Sequence, residues 1–168
     1  HGGVARENLS EENLPALRAG LANLNRHINN LRENYGVPAV VSINQFVADT
    51  DAEVELVMEH CKALGAQVAL SSHWANGGAG ATDLAHMVAE ICDADTTPAN
   101  TPHNSFVYPG ELSLWEKLEA VVTKVYHASE ITASSKVRDR LKELTDGGYG
   151  HLPVCIAKTP YSFSTDPA

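Results

Sequence analysis

Two aromatic side chains occupy polar, loop-like stretches that directly follow predicted strands. Phe46 lies in "SINQFVADTDAE" (42–53), and Trp74 lies in "SSHWANGGAGA" (71–81). Parallel strands place their carboxyl ends along one edge of a sheet, where ligands bind. If the two strands are neighbours, the two rings lie over one crevice and can hold a flat heterocycle between them. Stacking on each ring would stabilise the bound heterocycle by about 1–3 kcal/mol. Alternatively, each ring folds back onto its own helix and covers the core. The positions of Phe46 and Trp74 in the sequence are equally consistent with both interpretations.

Polar residues surround both rings. Asn44 and Asp49 flank Phe46 and could bond to the edge of a purine or pterin, although an Asx turn and helix capping explain them equally well. Of the eight histidines, only His73 lies beside a candidate aromatic. The stretch "NGGAGA" (76–81) either approaches an anion with its backbone amides or acts as a hinge for Trp74.

The sequence contains none of the common motifs for metal binding, nucleophilic catalysis or phosphate binding. There is no Cys-x-x-Cys or His-x-x-x-His pair, so we expect no metal site. There is also no G-x-S-x-G nucleophile elbow and no G-x-x-x-x-G-K-[ST] phosphate loop. We therefore assign no catalytic acid, base or nucleophile within these residues.

The composition narrows the range of partners and compartments. With 21 acidic and 12 basic residues the formal net charge is -9, so we expect neither a nucleic acid nor a membrane surface as a partner. The three cysteines are odd in number and have aliphatic neighbours. They are expected to be buried free thiols, which indicates a reducing compartment, the cytoplasm.

The hydrophobic pattern from residue 10 to 93 predicts an α/β fold. An apolar stripe spaced 3-4-3-4-3 predicts a long helix that Ser10 or Asn13 caps and Gly36 ends. A continuous apolar run at 37–43 predicts a buried parallel strand, and "AQVALS" (66–71) predicts a second. Between them, Thr50 and Glu53 form a capping box that begins a helix ending at Gly65.

The later part of the chain continues this pattern more weakly. A third helix with an apolar stripe covers residues 84–92, and the polar, proline-bearing stretch 93–105 is the expected internal boundary. A capped helix begins at Ser113, and a shorter helix is expected near 135–145. The glycine turn in "GGYGHLPVCIAK" (147–158) is expected to lead into a further strand.

Four stretches together resemble the ATP-dependent formate–tetrahydrofolate ligases. They are "HGGVA" (1–5), "LANLNRHINNLRENYGVPAVVSINQFVADTDAE" (21–53), "HWANGGAG" (73–80) and "GHLPVCIAKTPYSFSTDP" (150–167). The resemblance runs over essentially the whole chain. It implies that the chain is a middle-to-late fragment of a longer polypeptide, with residues 1–50 ending a P-loop NTPase-like, three-layer nucleotide domain and residues 51–168 forming part of an α/β folate-side domain.

The resemblance also implies roles for individual residues. In this family a pterin ring lies between a Phe and a Trp that match Phe46 and Trp74, and a Leu that matches Leu70 lines the same pocket. The family reaction uses ATP and Mg²⁺ to make formyl phosphate, which a nitrogen of tetrahydrofolate then attacks. Its P-loop lies upstream of the matched stretches, so the fragment by itself is expected to be inactive and to hold no cofactor tightly.

The same resemblance predicts that the parent enzyme is a homo-oligomer whose partners are small-molecule substrates and the rest of its own chain. Two departures stand out: the family often has Arg at Gln45, and a more acidic residue where this chain has Ser72 and His73. Neither removes the stacking pair. The rival hypothesis is a non-catalytic interaction module, in which Phe46 and Trp74 form a docking patch for another protein.

Overall fold

The computed structural model describes residues 4–97, residues 105–157 and Phe163. Within these residues the chain is α/β, with six α-helices and two strands. In chain order they are α1 (Leu14–Asn29), β1 (Val40–Asn44), α2 (Asp51–Ala63), β2 (Gln67–Ser71), α3 (His73–Asn76), α4 (Thr82–Ala94), α5 (Leu114–Lys124) and α6 (Ser135–Leu144). None of these helices is long and apolar enough to cross a membrane.

A side-chain cap determines where helix α1 begins, and a glycine turn follows its end. The Asn13 side chain accepts a hydrogen bond from the backbone N–H of Ala16 at 3.0 Å, so Asn13 rather than Ser10 caps the helix. Leu21 and Ile28 on the apolar stripe are buried. The helix passes into a π-helical turn, Asn30–Asn34, and the chain then turns at Gly36, whose φ of +68° favours glycine.

The two strands form one parallel sheet, as the continuous apolar runs predict. The register runs from Val40 opposite Gln67 to Asn44 opposite Ser71. Helices α1 and α2 cover this sheet with one hydrophobic core. Its buried members are Ile28, Ala39, Cys61, Ala66 and Val68, and side chains packed against them include Leu24, Val41, Ile43, Val57 and Leu64.

Side chains satisfy backbone groups at both ends of helix α2, which connects the two strands. Thr50 and Glu53 form the predicted capping box. At the other end, Arg32 donates to the carbonyls of Leu64 and Gly65 at 2.9 and 2.7 Å, and these carbonyls follow the last turn of α2. A cation at a helix carboxyl end is favourable because the exposed carbonyls carry partial negative charge.

Helix α4 packs against β2 and β1 but is less covered than its pattern predicts. None of its residues is fully buried, and Val88 and Cys92 on its apolar stripe are exposed. Cys155 is exposed as well, so the prediction of three buried thiols is wrong for two of them. Cys61 is buried because it faces the core beneath the sheet.

The segment after α6 does not form the expected strand within residues 150–157. Side chains hold its backbone instead. The Lys117 ammonium, fully buried on α5, donates to the carbonyls of Gly150 and Leu152, and the Tyr108 hydroxyl both donates to and accepts from the backbone of Val154. These side chains satisfy the backbone groups that a neighbouring strand would otherwise satisfy.

The chain at the end of α5 is also hydrogen-bonded to the end of α1 and the turn that follows it. The carbonyls of Lys124, Val125 and Tyr126 accept hydrogen bonds from side chains of residues 26–34, including buried Asn30. Helix α4 continues to Ala94, and most of the expected boundary at 93–105 falls on residues 98–104, which lie outside the described residues.

Candidate functional site

The site begins where β1 and β2 end side by side. Asn44 and Ser71 are the last register partners, and the backbone N–H of Gln45 donates to the Ser71 carbonyl at 3.1 Å, which extends the pairing by one residue. Phe46 follows two residues after Asn44, and Trp74 follows three residues after Ser71. Both aromatics therefore leave the sheet at its carboxyl edge, where α/β sheets bind ligands.

Both rings are open to solvent. Phe46 is 56% exposed and Trp74 is 69% exposed, so neither ring is folded back as a cover for the core. Leu70, the last but one residue of β2 and the register partner of Ile43, is also partly exposed. Exposed aromatic rings and a partly exposed aliphatic side chain at the end of the sheet are groups that a planar, largely apolar ligand would contact.

A closed turn positions Phe46. The Asp49 carboxylate accepts a hydrogen bond from the Phe46 backbone N–H at 2.8 Å, and the Asp49 N–H donates to the Phe46 carbonyl at 3.1 Å. Asp49 therefore bonds to nearby backbone, but its partner N–H lies three residues earlier in the chain, whereas an Asx turn uses the N–H two residues later. Asn44, by contrast, ends β1 with an exposed side chain, and the structure places it beside the start of this turn.

A second turn, built on Ser72, positions Trp74. The Ser72 carbonyl accepts from the N–H groups of Ala75 and Asn76, and the Ser72 N–H donates to the Gly80 carbonyl at 3.0 Å. The Asn76 side chain closes the turn by donating to the Ser72 hydroxyl at 3.0 Å. Trp74 therefore lies on a short helical turn, and the hydrogen bond between Ser72 and Gly80 connects the start of this turn to the glycine-rich stretch.

The glycine-rich stretch has a packing role that neither sequence interpretation included. A Cβ on Gly80 would lie 2.5 Å from the Ser72 carbonyl carbon and 2.7 Å from the His73 nitrogen. Only glycine permits so close an approach of two backbones. The neighbouring Gly78 meets nothing within 4 Å, so this close approach is specific to Gly80, whereas Gly77 favours glycine through its φ of +56°.

The sequence points to His73 but does not predict its contact with Ser71. The Ser71 hydroxyl lies 2.8 Å from Nδ1 of His73, and Ser71 is 1% exposed whereas His73 is exposed. The sequence signal is a serine two residues before a histidine at a strand end. Among the described residues, no group of three or more His, Cys, Asp or Glu side chains could hold a metal ion.

The family model and the curated relatives that match this chain carry the same name. The family model described as formate–tetrahydrofolate ligase matches residues 1–168. The chain is 52% identical over 167 residues to the formate–tetrahydrofolate ligase of Methylococcus capsulatus and 50% identical over 169 residues to that of Granulibacter bethesdensis. It is 45% identical over 168 residues to the ligase of Pelagibacter ubique.

These alignments cover nearly all of this chain but only part of each relative. They include 99 or 100% of the chain and 28 or 29% of the three relatives. The chain thus spans less than a third of the length of the curated relatives that it matches. Because the family model matches every residue from 1 to 168, the chain belongs to the formate–tetrahydrofolate ligase family.

Proposed function

We propose that this chain is a segment of a cytoplasmic, ATP-dependent formate–tetrahydrofolate ligase and carries the wall on which the pterin of tetrahydrofolate stacks. Phe46 and Trp74 form the two stacking surfaces, and Leu70 lies against the ring. The observation that carries the proposal is the exposure of both aromatics at the ends of two adjacent parallel strands. The family match and the relatives' names support the substrate.

The proposed site binds and orients the substrate without acid or base catalysis by this segment. Stacking on an aromatic side chain contributes about 1–3 kcal/mol per ring and leaves the ring's in-plane atoms free. Two rings that are fixed by separate turns hold the heterocycle in one orientation, which lowers the entropic cost of reaction. Asn44 is a candidate for the polar edge of the ligand, and Asp49 contributes mainly through the turn that positions Phe46.

ATP and Mg²⁺ do not fit the described residues. The sequence has no P-loop motif, and the described side chains form no cluster that could hold a metal ion. Phosphoryl transfer needs a cradle for the triphosphate and bound Mg²⁺. We therefore propose that the rest of the full-length polypeptide carries out phosphoryl transfer, and we expect the isolated segment to be inactive.

We also propose a division of the chain at residue 50, as the resemblance to the ligase family implies. Residues 1–50 end a three-layer, P-loop NTPase-like nucleotide domain, and residues 51–168 belong to the folate-side domain. Because β1 pairs with β2 and residues from both sides of residue 50 fill one hydrophobic core, this division does not separate two independently packed units. The full-length enzyme is proposed to be a homo-oligomer with small-molecule substrates, and neither nucleic acid nor a membrane is proposed as a partner.

The proposal is tested in a full-length enzyme in which residues 1–168 replace the matching segment of the Methylococcus capsulatus ligase. We call this the grafted ligase. Trp74→Ala is expected to raise KM for tetrahydrofolate by roughly 5- to 100-fold, while KM for ATP and formate stay unchanged. An unchanged KM for tetrahydrofolate would reject the stacking site and favour the protein-docking alternative.

A further inference from the structure

A buried serine and an exposed histidine are in contact at the end of β2. Ser71 is the last residue of the strand and is 1% exposed, so its backbone is held by the sheet and its side chain is enclosed. The Ser71 hydroxyl lies 2.8 Å from Nδ1 of His73. A fixed partner at Nδ1 restricts the imidazole to one orientation, as outer partners do for functional histidines in general.

Among the residues that the structure describes, none bonds to the second ring nitrogen of His73, Nε2. Nε2 lies on the side of the imidazole away from Nδ1, and His73 is exposed at the carboxyl edge of the sheet. If Ser71 donates to Nδ1, Nε2 carries a hydrogen and is a donor. If Nδ1 donates to Ser71, Nε2 is an acceptor. In both tautomers the histidine presents one directed hydrogen-bonding atom.

The position of His73 relative to Trp74 decides what that atom can reach. The two residues are consecutive on the short helix α3, and consecutive helical side chains diverge by about 100°. His73 therefore flanks the indole rather than lying beneath it. A ring stacked on Trp74 would present its in-plane donors and acceptors to the side, toward a flanking imidazole.

We propose that Nε2 of His73 hydrogen-bonds the polar edge of the heterocycle that stacks on Trp74, with Ser71 as the positioning residue. This inference rests on the proposed function, because it assumes that a pterin occupies the wall. It assigns a specificity role: a ring with a donor or acceptor at that edge binds better than an equally flat ring without one. Groups that are ordered before binding lose little entropy when the ligand arrives.

A merely structural role for His73 makes a different prediction from a ligand-binding role. The amide of asparagine falls near the position of Nδ1, so His73→Asn keeps the contact with Ser71 and loses the outward one. The longer glutamine side chain places its amide near Nε2, so His73→Gln keeps the outward contact and loses the one with Ser71. The two variants therefore separate the two ring nitrogens.

The experiment measures steady-state kinetics of the grafted ligase carrying His73→Asn, His73→Gln, Ser71→Ala or Trp74→Ala. We expect His73→Asn to raise KM for tetrahydrofolate roughly fivefold with kcat within twofold, and His73→Gln to stay near the unsubstituted enzyme. Ser71→Ala is expected to give a smaller rise. Unchanged KM values for ATP and formate show that each variant is folded.

The outcomes distinguish the two proposals. If His73→Gln raises KM for tetrahydrofolate and His73→Asn does not, His73 only supports the turn and the inference is overturned. If Trp74→Ala raises this KM and neither His73 variant does, the stacking wall stands and the inference again fails. If Trp74→Ala has no effect, the proposed function fails and the role of His73 fails with it.

Discussion

Asn44 and Ser71 lie directly opposite each other as the last register partners of two parallel strands. Because of this pairing, two turns that are far apart in the sequence begin at the same edge of the sheet. One turn carries Phe46 and is closed by Asp49, and the other carries Trp74 and packs on Gly80. Single substitutions can therefore alter the position of each aromatic side chain separately.

The first prediction concerns the glycine behind Trp74. Gly80→Ala places a Cβ about 2.5 Å from the Ser72 carbonyl carbon, so the two backbones must separate and the turn carrying Trp74 must shift. We expect KM for tetrahydrofolate in the grafted ligase to rise on the order of tenfold or more, since misplacing a binding group by about an ångström is costly.

Gly78→Ala is the matched control for that substitution. Gly78 lies two residues away in the same stretch, and its added Cβ would meet nothing within 4 Å. We expect its kinetics to match those of the unsubstituted enzyme. Equal effects of the two substitutions would show that the stretch acts through general flexibility rather than through the contact with Ser72.

The second prediction concerns the turn that carries Phe46. Asp49→Ala removes the acceptor for the Phe46 N–H and is expected to destabilise the turn by about 1–2 kcal/mol, which raises KM for tetrahydrofolate. Asp49→Asn keeps an acceptor oxygen and is expected to stay close to the unsubstituted enzyme. If asparagine fails as badly as alanine, the site requires the negative charge of Asp49 and not only an acceptor oxygen.

The third prediction concerns the cysteines. Cys61 is fully buried, and burial raises the pKa of its thiol, whereas Cys92 and Cys155 are exposed. In the native chain a thiol reagent is expected to modify two cysteines quickly and the third on the order of tenfold or more slowly. Cys61→Ala should remove only the slow phase. Three equal rates would contradict the burial of Cys61 in the core.

The fourth prediction concerns the dependence of stability on pH. Partial burial, in a place where the Phe163 ring lies 4.4 Å from the imidazole, lowers the pKa of His27 below its ordinary value of 6.5. The folded state therefore prefers neutral His27. As the pH falls through about 6.5, the unfolded state binds a proton first, so the free energy of unfolding decreases.

His27→Gln removes this contribution. We expect the variant to lose less stability than the unsubstituted chain when the pH is lowered from about 7.5 to about 5.5, as measured by urea unfolding. Above the ordinary pKa of histidine the contribution is fully present and no longer varies with pH. An equal or greater acid loss in the variant would show that His27 does not favour its neutral form in the folded chain.

The features that the sequence predicts well depend on neighbours within a few residues. The capping boxes at Thr50 and Ser113 are confirmed because each needs only a glutamate three residues later. The two parallel strands are confirmed because their apolar runs are continuous and each is bounded by a turn. That Phe46 and Trp74 share an edge follows from these strands, whereas their grip on a pterin stays a prediction.

The features that the sequence does not predict depend on distant partners. The expected strand at 150–157 does not form in the described residues, because Lys117 and Tyr108, which lie more than thirty positions earlier, bond its backbone. The contact between Gly80 and Ser72 similarly requires the path of the whole turn. Apolar neighbours in sequence suggested burial for Cys92 and Cys155, but no element of the described chain covers them.

The central claim is that the exposed phenylalanine at the end of β1 binds the pterin, and its most direct test is calorimetric titration of the grafted ligase with tetrahydrofolate. Phe46→Ala is compared with Phe106→Ala, which removes a phenylalanine that is 75% exposed and outside the proposed site. The account predicts that Kd for tetrahydrofolate rises roughly 5- to 100-fold for Phe46→Ala and stays unchanged for Phe106→Ala. Equal Kd values for the two variants would contradict it.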